Sequence, residues 1–308
     1  MRALLSRQAL SSVVLTWNSV RHIERCLASL VEDARAARFD LRVLVVDGGS
    51  ADGTLNVLAH LGGQYSEIEV IELGRNLGTT VARNIAIKRT STTHVLVLDS
   101  DTEVRPGTLT TLLQSLDGVP RAGIVAPRLV YPDGGVQASC KRFPTAPLKA
   151  CKFLPFRWGR QIGERSELYP PDVYSSEFRD TIEVDHCISA CWLVRREALD
   201  EVGLLDERIF YAPEDVDYCL RMWLAGWKVA YVPTAVVVHH AQRVSYRSRR
   251  VAWVHAKGLT YYFRKHRYLI RRSRLYSRIP GGEPGARRIQ LLRDSERAGA
   301  GWSKPLAE

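Results

Sequence analysis

Residues 94–104, HVLVLDSDTEV, decide the fold. The apolar run 94–98 predicts a buried strand, and the strand ends at the carboxylates of Asp99 and Asp101. Two aspartates this close together repel each other unless a cation lies near them, so a divalent ion that also binds phosphate oxygens is one interpretation. A turn in which the aspartates accept hydrogen bonds from backbone amides is the other. The segment alone does not separate the two interpretations.

Upstream of this strand, apolar runs alternate with segments of helical spacing. Strands are predicted at 9–15, 41–46 and 69–73, and helices near 20–31, 52–60 and 79–89. Such alternation predicts a parallel sheet with right-handed crossovers, whose ligand lies at the carboxyl ends of the strands. Asn18, Asp47 and Asp99 all follow predicted strand ends. The sequence therefore predicts that they share one binding site.

Downstream, the pattern is less regular. A helix is predicted at 106–116, and a loop-rich stretch with several prolines follows up to about residue 180. Regular secondary structure is predicted again at 182–194. The segment YAPEDVDYCLRMWLAGW, residues 211–227, predicts a helix from Pro213 to Leu224. A strand is predicted at 228–232, where Pro233 stops it.

Two further groups of polar side chains follow these elements. Glu214 and Asp215 lie in the first turn of the predicted helix, where the helix dipole favours anions, and one of them could also act as a general base in a cleft. His239 and His240 follow an apolar run. They are either an ordinary polar loop pair or metal ligands that act with Asp99 and Asp101.

The length of 308 residues allows one large α/β domain or two small ones. No signal peptide and no spanning helix are expected, which predicts a cytoplasmic protein. The 6 cysteines form no CxxC pair, which argues against a zinc site.

Residues 241–308 carry a charge of +13, with 17 basic and 4 acidic residues, whereas residues 1–240 carry −2. So basic a tail predicts an anionic partner, either a membrane surface or a nucleic acid.

In combination and in order, these motifs resemble a family 2 glycosyltransferase of the GT-A fold, over residues 11–245. The resemblance rests on the following segments: TWNS (16–19), DGGSADGT (47–54), GRNLGTTVARN (74–84), LDSD (98–101) and the long stretch from REALDEVG to LAGW (196–227). Each segment alone has little specificity, and the joint match is highly specific. It most resembles the bacterial rhamnosyltransferase-like branch, which builds polysaccharides and lipid-linked glycans.

The resemblance implies roles on the donor side of the reaction. Thr16 and Asn18 would approach the nucleotide, and Asp47 would form a hydrogen bond with its base. Arg83 would lie near the nucleotide or the diphosphate, and Asp99 near the ribose or the metal ion.

The resemblance also implies a metal site and a catalytic base. Asp101 would ligate Mn²⁺ or Mg²⁺, and His240 would complete the metal site because its spacing to Ser245 fits the H…S pattern of the family; His239 is the alternative. Asp215 would deprotonate the acceptor, with Glu214 as its neighbour in the catalytic pair.

The resemblance implies an inverting, metal-dependent enzyme that transfers a sugar from a nucleotide-sugar donor to a glycan or lipid-linked acceptor in cell-surface polysaccharide biosynthesis. Residues 1–245 would form the GT-A domain, a Rossmann-like and mostly parallel sheet flanked by helices. Residues 246–308 would form a basic helical tail with a disordered end. The family pattern is broken at Ser189-Ala190 and at residues 241–243, so substrate specificity does not carry over.

Other classes of protein fit less well. A nucleotide-binding oxidoreductase needs G-x-G-x-x-G after its first strand, where TWNS stands, and no P-loop motif occurs. A degenerate protein that binds nucleotide sugar or RNA without transferase activity remains the alternative.

No specific nucleic-acid partner is expected, because the tail contains no recognisable nucleic-acid module. The tail also interleaves arginines with the aromatic residues Trp253, Tyr261, Tyr262, Phe263 and Tyr268. This pattern favours peripheral attachment to the cytoplasmic face of the membrane. The alternative is a helix that packs on the catalytic body with its arginines facing water.

Overall fold

The computed structural model describes residues 8–151, 161–163, 165–241 and 249–286. The strands are β1 Ala9–Thr16, β2 Asp40–Asp47, β3 Ile68–Glu72, β4 His94–Asp99, β5 Thr102–Val104, β6 Ala122–Val130, β7 Cys140–Lys141, β8 Ile182–Glu183, β9 His186–Cys187, β10 Cys191–Arg195 and β11 Lys228–His239. The helices are α1 Ile23–Ala36, α2 Thr54–Gln64, α3 Thr79–Ile87, α4 Thr108–Gly118, α5 Ala146–Cys151, α6 Arg196–Val202, α7 Glu214–Leu224, α8 Arg249–His266 and α9 Arg272–Tyr276.

Among the described residues, nine strands form one mixed sheet in the order β3-β2-β1-β4-β10-β6-β11-β5, with β8 paired to β11. The strands β3, β2, β1 and β4 are parallel to one another, as the alternation of strands and helices predicts. β10 lies antiparallel between β4 and β6. The start of β10 therefore lies next to the carboxyl end of β4. This architecture confirms the predicted fold class.

The sheet separates two apolar layers, which cover its opposite faces. On one face, the helices α1, α2 and α4 contribute buried side chains such as Leu30, Leu58 and Leu112. On the other face, α3 and α7 contribute Ala86 and Leu220. Burial of both faces is the main term that stabilises such a sheet. Loops are then left to form the site at the strand ends.

Side chains from the C-terminal part of the chain belong to the second of these layers. Tyr262, Phe263, Tyr268 and Tyr276 are buried in the same apolar cluster as α3 and α7. The Tyr276 hydroxyl donates to Asp185 Oδ2 at 2.6 Å. Three of the aromatic residues predicted to contact a membrane are thus covered by protein instead. Over residues 253–286 the predicted tail packs against the sheet and its helices, whereas residues 287–308 and Ser245 lie outside the described residues.

Helix α8 crosses the chain immediately before α7. A Cβ atom at Gly258 would collide with the carbonyl oxygen of Ala212, so the two backbones approach more closely than any larger residue permits. Farther along α8, Lys265 Nζ and His266 Nε2 both lie 2.7 Å from Oδ1 of the buried Asp217. A buried carboxylate needs such partners to offset the loss of its hydration. These contacts fix α8 against the first turns of α7.

The last long strand differs from its sequence-based prediction. The sequence places its end at Val232, because proline cannot donate a hydrogen bond within a sheet. In the structure β11 continues to His239, and a register shift relative to β6 between Val232 and Val236 accommodates Pro233. None of the helices in the described part of the chain is long and apolar enough to cross a bilayer.

Candidate active site

The carboxyl ends of β1, β2 and β4 lie side by side at one edge of the sheet. Thr16 pairs with Asp47 across β1 and β2, and Leu15 pairs with Asp99 across β1 and β4. The Asp99 amide donates to the carbonyl oxygen of Ala190 at 2.9 Å, so the segment before β10 reaches the same edge. The structure thus brings together the strand ends that the sequence pattern assigned to one site.

Hydrogen bonds join the loops that follow β1 and β2. The Gly48 amide donates to the carbonyl oxygen of Thr16 at 2.9 Å. The Asn18 amide donates to Ser50 Oγ at 2.8 Å, and Asn18 Oδ1 accepts from the Ala51 amide at 2.8 Å. Within the described residues the buried Thr16 hydroxyl has no hydrogen-bond partner. Thr16 and Asn18 are therefore held in one rigid corner of the site.

Asp47 is fully buried and shapes its own turn. Its Oδ2 accepts from the amides of Gly49 and Ser50 at 2.9 Å each, and its Oδ1 accepts from the Ser50 hydroxyl. A carboxylate oxygen can accept two hydrogen bonds, so Oδ1 retains capacity for another donor. The geometry supports a turn-forming role, and contact with a nucleotide base stays a prediction.

Trp17 was not among the residues predicted to form the site. Its side chain is 53% exposed, and it lies against Gly48 between the two joined loops. An exposed indole face is a stacking surface for a planar ring. The signal for it was present in the sequence, since Trp17 directly follows a buried strand and lies between two residues assigned to the nucleotide.

Asp99, Asp101 and His239 form a group that fits a metal ion. Each offers one ligand atom, and these atoms all lie within 4.8 Å of one another. His239 Nε2 lies 3.6 Å from Asp101 Oδ1. Burial and the neighbouring Asp99 carboxylate raise the pKa of Asp101, and His239 offsets part of this effect. A divalent cation between these groups would relieve the same repulsion.

The structure groups His239, the alternative ligand of the sequence analysis, with the two aspartates and places His240 beside Glu103. His240 Nε2 lies 2.7 Å from Glu103 Oε1, and its ring lies 4.7 Å from the ring of His22. Successive side chains along a strand point in opposite directions, so only one of the two histidines can face Asp101. In the structure that residue is His239, the last residue of β11.

Arg83 is buried among polar groups from three parts of the chain. Its Nη2 lies 2.6 Å from Asp99 Oδ1, and its Nη1 donates to Ser189 Oγ at 2.8 Å. Because that hydroxyl accepts from arginine, its proton is free to reach Glu214 Oε1, 3.2 Å away. Arg83 thus links the end of β4 to the start of α7 through Ser189. The sequence indicated Ser189 only as a departure from the family pattern.

Glu214 and Asp215 occupy different environments although they are adjacent. Burial and the neighbouring Asp215 raise the pKa of Glu214 to about 8. Burial also raises the pKa of Asp215, whose Oδ1 accepts from the Val216 amide at 2.8 Å. Asp215 is only partly buried. Of the two, Asp215 is better placed to take a proton from a bound molecule.

Two exposed aromatic residues precede this pair. Phe210 and Tyr211 are both exposed, and the carbonyl oxygen of Phe210 accepts from the Thr79 amide at 2.7 Å. Burial and the nearby Glu214 raise the pKa of Tyr211 to about 12. An apolar surface lies directly beside the carboxylates.

The sequence profile of glycosyl transferase family 2 matches residues 11–203.
The chain belongs to this family.
An N-acetylglucosaminyl-diphospho-decaprenol L-rhamnosyltransferase of Mycobacterium tuberculosis is 31% identical over 245 residues, which cover 74% of this chain and 75% of the relative. A rhamnosyltransferase of Escherichia coli is 35% identical over 100 residues, 32% of this chain and 37% of that protein. A mannosyltransferase of Pyrobaculum calidifontis, solved with GDP-Man and Mn²⁺, has a TM-score of 0.58 at 18% identity, over 97% of this chain and 77% of that structure.

Family 2 membership identifies the chain as a nucleotide-sugar glycosyltransferase of the GT-A fold, homologous to rhamnosyltransferases of cell-wall and polysaccharide biosynthesis. The matched profile ends at residue 203, before α7 and β11. Glu214, Asp215 and His239 therefore lie beyond the region that the profile covers. Only the geometry of the structure assigns these three residues to the candidate site.

Proposed function

We propose that the enzyme transfers a sugar, with inversion, from a nucleotide-sugar donor to a hydroxyl of a lipid-linked glycan, and that it needs Mn²⁺ or Mg²⁺. The observation that carries this proposal is the meeting of two acidic groups at one sheet edge. Asp99, Asp101 and His239 form the first group, and Glu214 and Asp215 form the second. Arg83 joins the two groups through direct contacts with Asp99 and Ser189.

The first group supplies the donor side of the proposed reaction. Two carboxylates and one imidazole are ligands that suit Mn²⁺ or Mg²⁺. A bound ion would neutralise the charge that grows on the diphosphate leaving group. Asp101 and His239 would hold the ion, and Asp99 would hold both the ion and Arg83. The M. tuberculosis relative carries a decaprenol-linked substrate in its name, which supports a lipid-linked acceptor.

The joined loops after β1 and β2 supply the nucleotide site in this proposal. Thr16, Asn18 and the turn of Asp47 form its rigid floor, and the exposed indole of Trp17 offers a face on which a base could stack. Arg83 is already paired with Asp99 and lies near Glu214. We therefore assign Arg83 to the positioning of these carboxylates rather than to direct diphosphate binding.

The second group supplies the acceptor side. Asp215 would accept the proton of the acceptor hydroxyl as the oxygen attacks the anomeric carbon from the face opposite the leaving group. A single displacement of this kind inverts the anomeric centre. Phe210 and Tyr211 would cover the apolar face of an acceptor sugar ring, since both are exposed beside the carboxylates.

A panel of nucleotide sugars tests the proposal. We expect one donor to raise the melting temperature of the protein in the presence of Mn²⁺, because a ligand that binds only the folded state stabilises it. EDTA should remove that shift, and the product formed with a polyprenyl-diphosphate glycan should have the inverted anomeric configuration by NMR. Stabilisation without turnover on any acceptor would instead support the alternative of a binding protein that lacks transferase activity.

We also propose that the enzyme attaches peripherally to the cytoplasmic face of a membrane, where a lipid-linked acceptor would be presented. Four aromatic residues in the described part of the tail lie in the core, but Trp253, Leu269 and Ile270 are 61%, 56% and 69% exposed. Exposed arginines surround the last two, including Arg267 and Arg271. Each basic residue near an anionic surface contributes about 1 kcal/mol.

Flotation with vesicles tests this attachment. We expect the full-length protein to float with anionic vesicles and much less with neutral ones, and 0.5 M salt should release it because salt screens surface charge. Leu269→Ser with Ile270→Ser should reduce flotation, whereas Ile162→Ser, which changes an exposed apolar residue outside the tail, should not. Equal and negligible binding to both kinds of vesicle at low salt would refute the attachment.

A further inference from the structure

We infer that Gln137 is a positioning residue that fixes the tautomer of His239, so that the unprotonated Nε2 faces Asp99 and Asp101. This inference rests on the metal site of the proposed function. It concerns a residue that none of the sequence motifs includes, located in the segment that folds back after β6.

Gln137 is rigidly held. Its segment turns back at Gly134 and Gly135, and Val136 forms an isolated antiparallel bridge with Val130. The Gln137 amide donates to the carbonyl oxygen of Leu129 at 2.8 Å. The side chain is buried, with 5% of the residue exposed. From this position it reaches across to the end of β11, the neighbour of β6 in the sheet.

The hydrogen bonds of the Gln137 side chain determine its orientation. Its Nε2 donates to the backbone carbonyl oxygen of His239 at 2.7 Å. A carbonyl oxygen can only accept, so the amide nitrogen must face it, and the amide oxygen must face the imidazole. That oxygen, Oε1, lies 2.9 Å from His239 Nδ1.

The same reasoning extends to the imidazole. Because Gln137 Oε1 can only accept, His239 Nδ1 must carry a proton. In the neutral ring, the other nitrogen then has a free lone pair. This nitrogen, Nε2, lies 3.6 Å from Asp101 Oδ1 and within the group that fits a metal ion. Metal-ligating histidines in proteins are commonly held this way, by an acceptor on the ring nitrogen that does not bind the metal.

Loss of the amide would leave His239 free to adopt the other tautomer or to rotate. The Nε2–H tautomer would direct a proton, rather than a lone pair, at the cation site. Removal of such a supporting contact weakens metal binding by about 10- to 100-fold in other proteins. Gln137→Met keeps the length of the side chain and removes both hydrogen bonds, so we expect a loss in this range.

Two measurements test the inference. The first is the ¹⁵N NMR spectrum of histidine-labelled, metal-free protein, which distinguishes the two tautomers directly. We expect His239 of the wild type to be in the Nδ1–H form, and Gln137→Met to give a mixture. A wild-type spectrum in the Nε2–H form would overturn the inference, and this result does not depend on how well the variant folds.

The second measurement is a double-mutant cycle on Mn²⁺ affinity, with nucleoside diphosphate present and the melting temperature as a check on folding. If Gln137 acts through His239, Gln137→Met should weaken Mn²⁺ binding in the wild type and add no further loss to His239→Ala. An equal loss in both backgrounds, or no loss in either, would overturn the inference alone. Absence of Mn²⁺ binding by the wild type would overturn the proposed metal site as well.

Discussion

Asp101→Ala should abolish the Mn²⁺-dependent part of diphosphate binding and nearly all sugar transfer. Asp101 contributes a ligand atom to the group that includes Asp99 and His239, and it lies 3.6 Å from His239 Nε2. Charge neutralisation by a metal ion is worth several kcal/mol at the transition state. We therefore expect kcat to fall by about 10² to 10⁴, at roughly tenfold for each 1.4 kcal/mol.

The measurement is a titration of nucleoside diphosphate with and without Mn²⁺, together with initial rates of transfer. Asp200→Ala is a matched control, since this carboxylate is exposed on α6 and pairs with Arg196 four residues earlier. It should behave as the wild type does. Full activity of the wild type in excess EDTA would remove the metal ion from the mechanism.

Asp215→Asn should lower turnover by about 10² to 10⁴, the usual contribution of a general base. Nucleotide affinity should remain close to that of the wild type, because Asp215 is not part of the loops after β1 and β2. Asparagine keeps the shape of the side chain and can still accept from the Val216 amide, so the start of α7 should be preserved.

Glu214→Gln is the matched comparison. Burial and the neighbouring Asp215 raise the pKa of Glu214 and so favour its uncharged form, which glutamine resembles. Its effect on turnover should be much smaller than that of Asp215→Asn. If Asp215→Asn kept near-normal turnover while Glu214→Gln lost it, the two roles would have to be exchanged.

The sequence was sufficient to predict the parallel half of the sheet and the residues at its carboxyl edge. Thr16, Asp47 and Asp99 each end a strand, and the alternation of strands with helices places such ends together. The order of the elements along the chain and the periodicity of apolar residues are sufficient to predict where these strand ends lie. The same reasoning located Asp101, because it lies only two residues beyond Asp99.

The choice between His239 and His240 was beyond sequence reasoning for a physical reason. Which histidine faces Asp101 depends on how side chains alternate between the two faces along β11. The sequence predicts that this strand stops at Pro233, so it predicts no alternation at residues 239 and 240. The register shift relative to β6 between Val232 and Val236 sets which histidine faces Asp101. The sequence shows neither the shift nor its size.

The sequence also did not show whether the C-terminal aromatic side chains face a membrane or the protein core. An apolar stripe on a helix has the same periodicity whether it faces a membrane or a protein core. Tyr262 lies in the core because α7 and the sheet provide a surface for it. Contacts such as that of Lys265 with Asp217 join residues 48 positions apart and leave no local pattern.

The crossing of α8 over the start of α7 has a consequence for synthesis on the ribosome. Translation delivers the sheet and α7 first, whereas Asp217 meets His266 only after 49 further residues have been added. Until then the carboxylate has Arg221 of its own helix nearby but lacks Lys265, and the chain around Ala212 lacks the helix that covers it. We expect the nascent enzyme to remain inactive until α8 emerges, so that Glu214 and Asp215 take up their final positions only near the completion of translation.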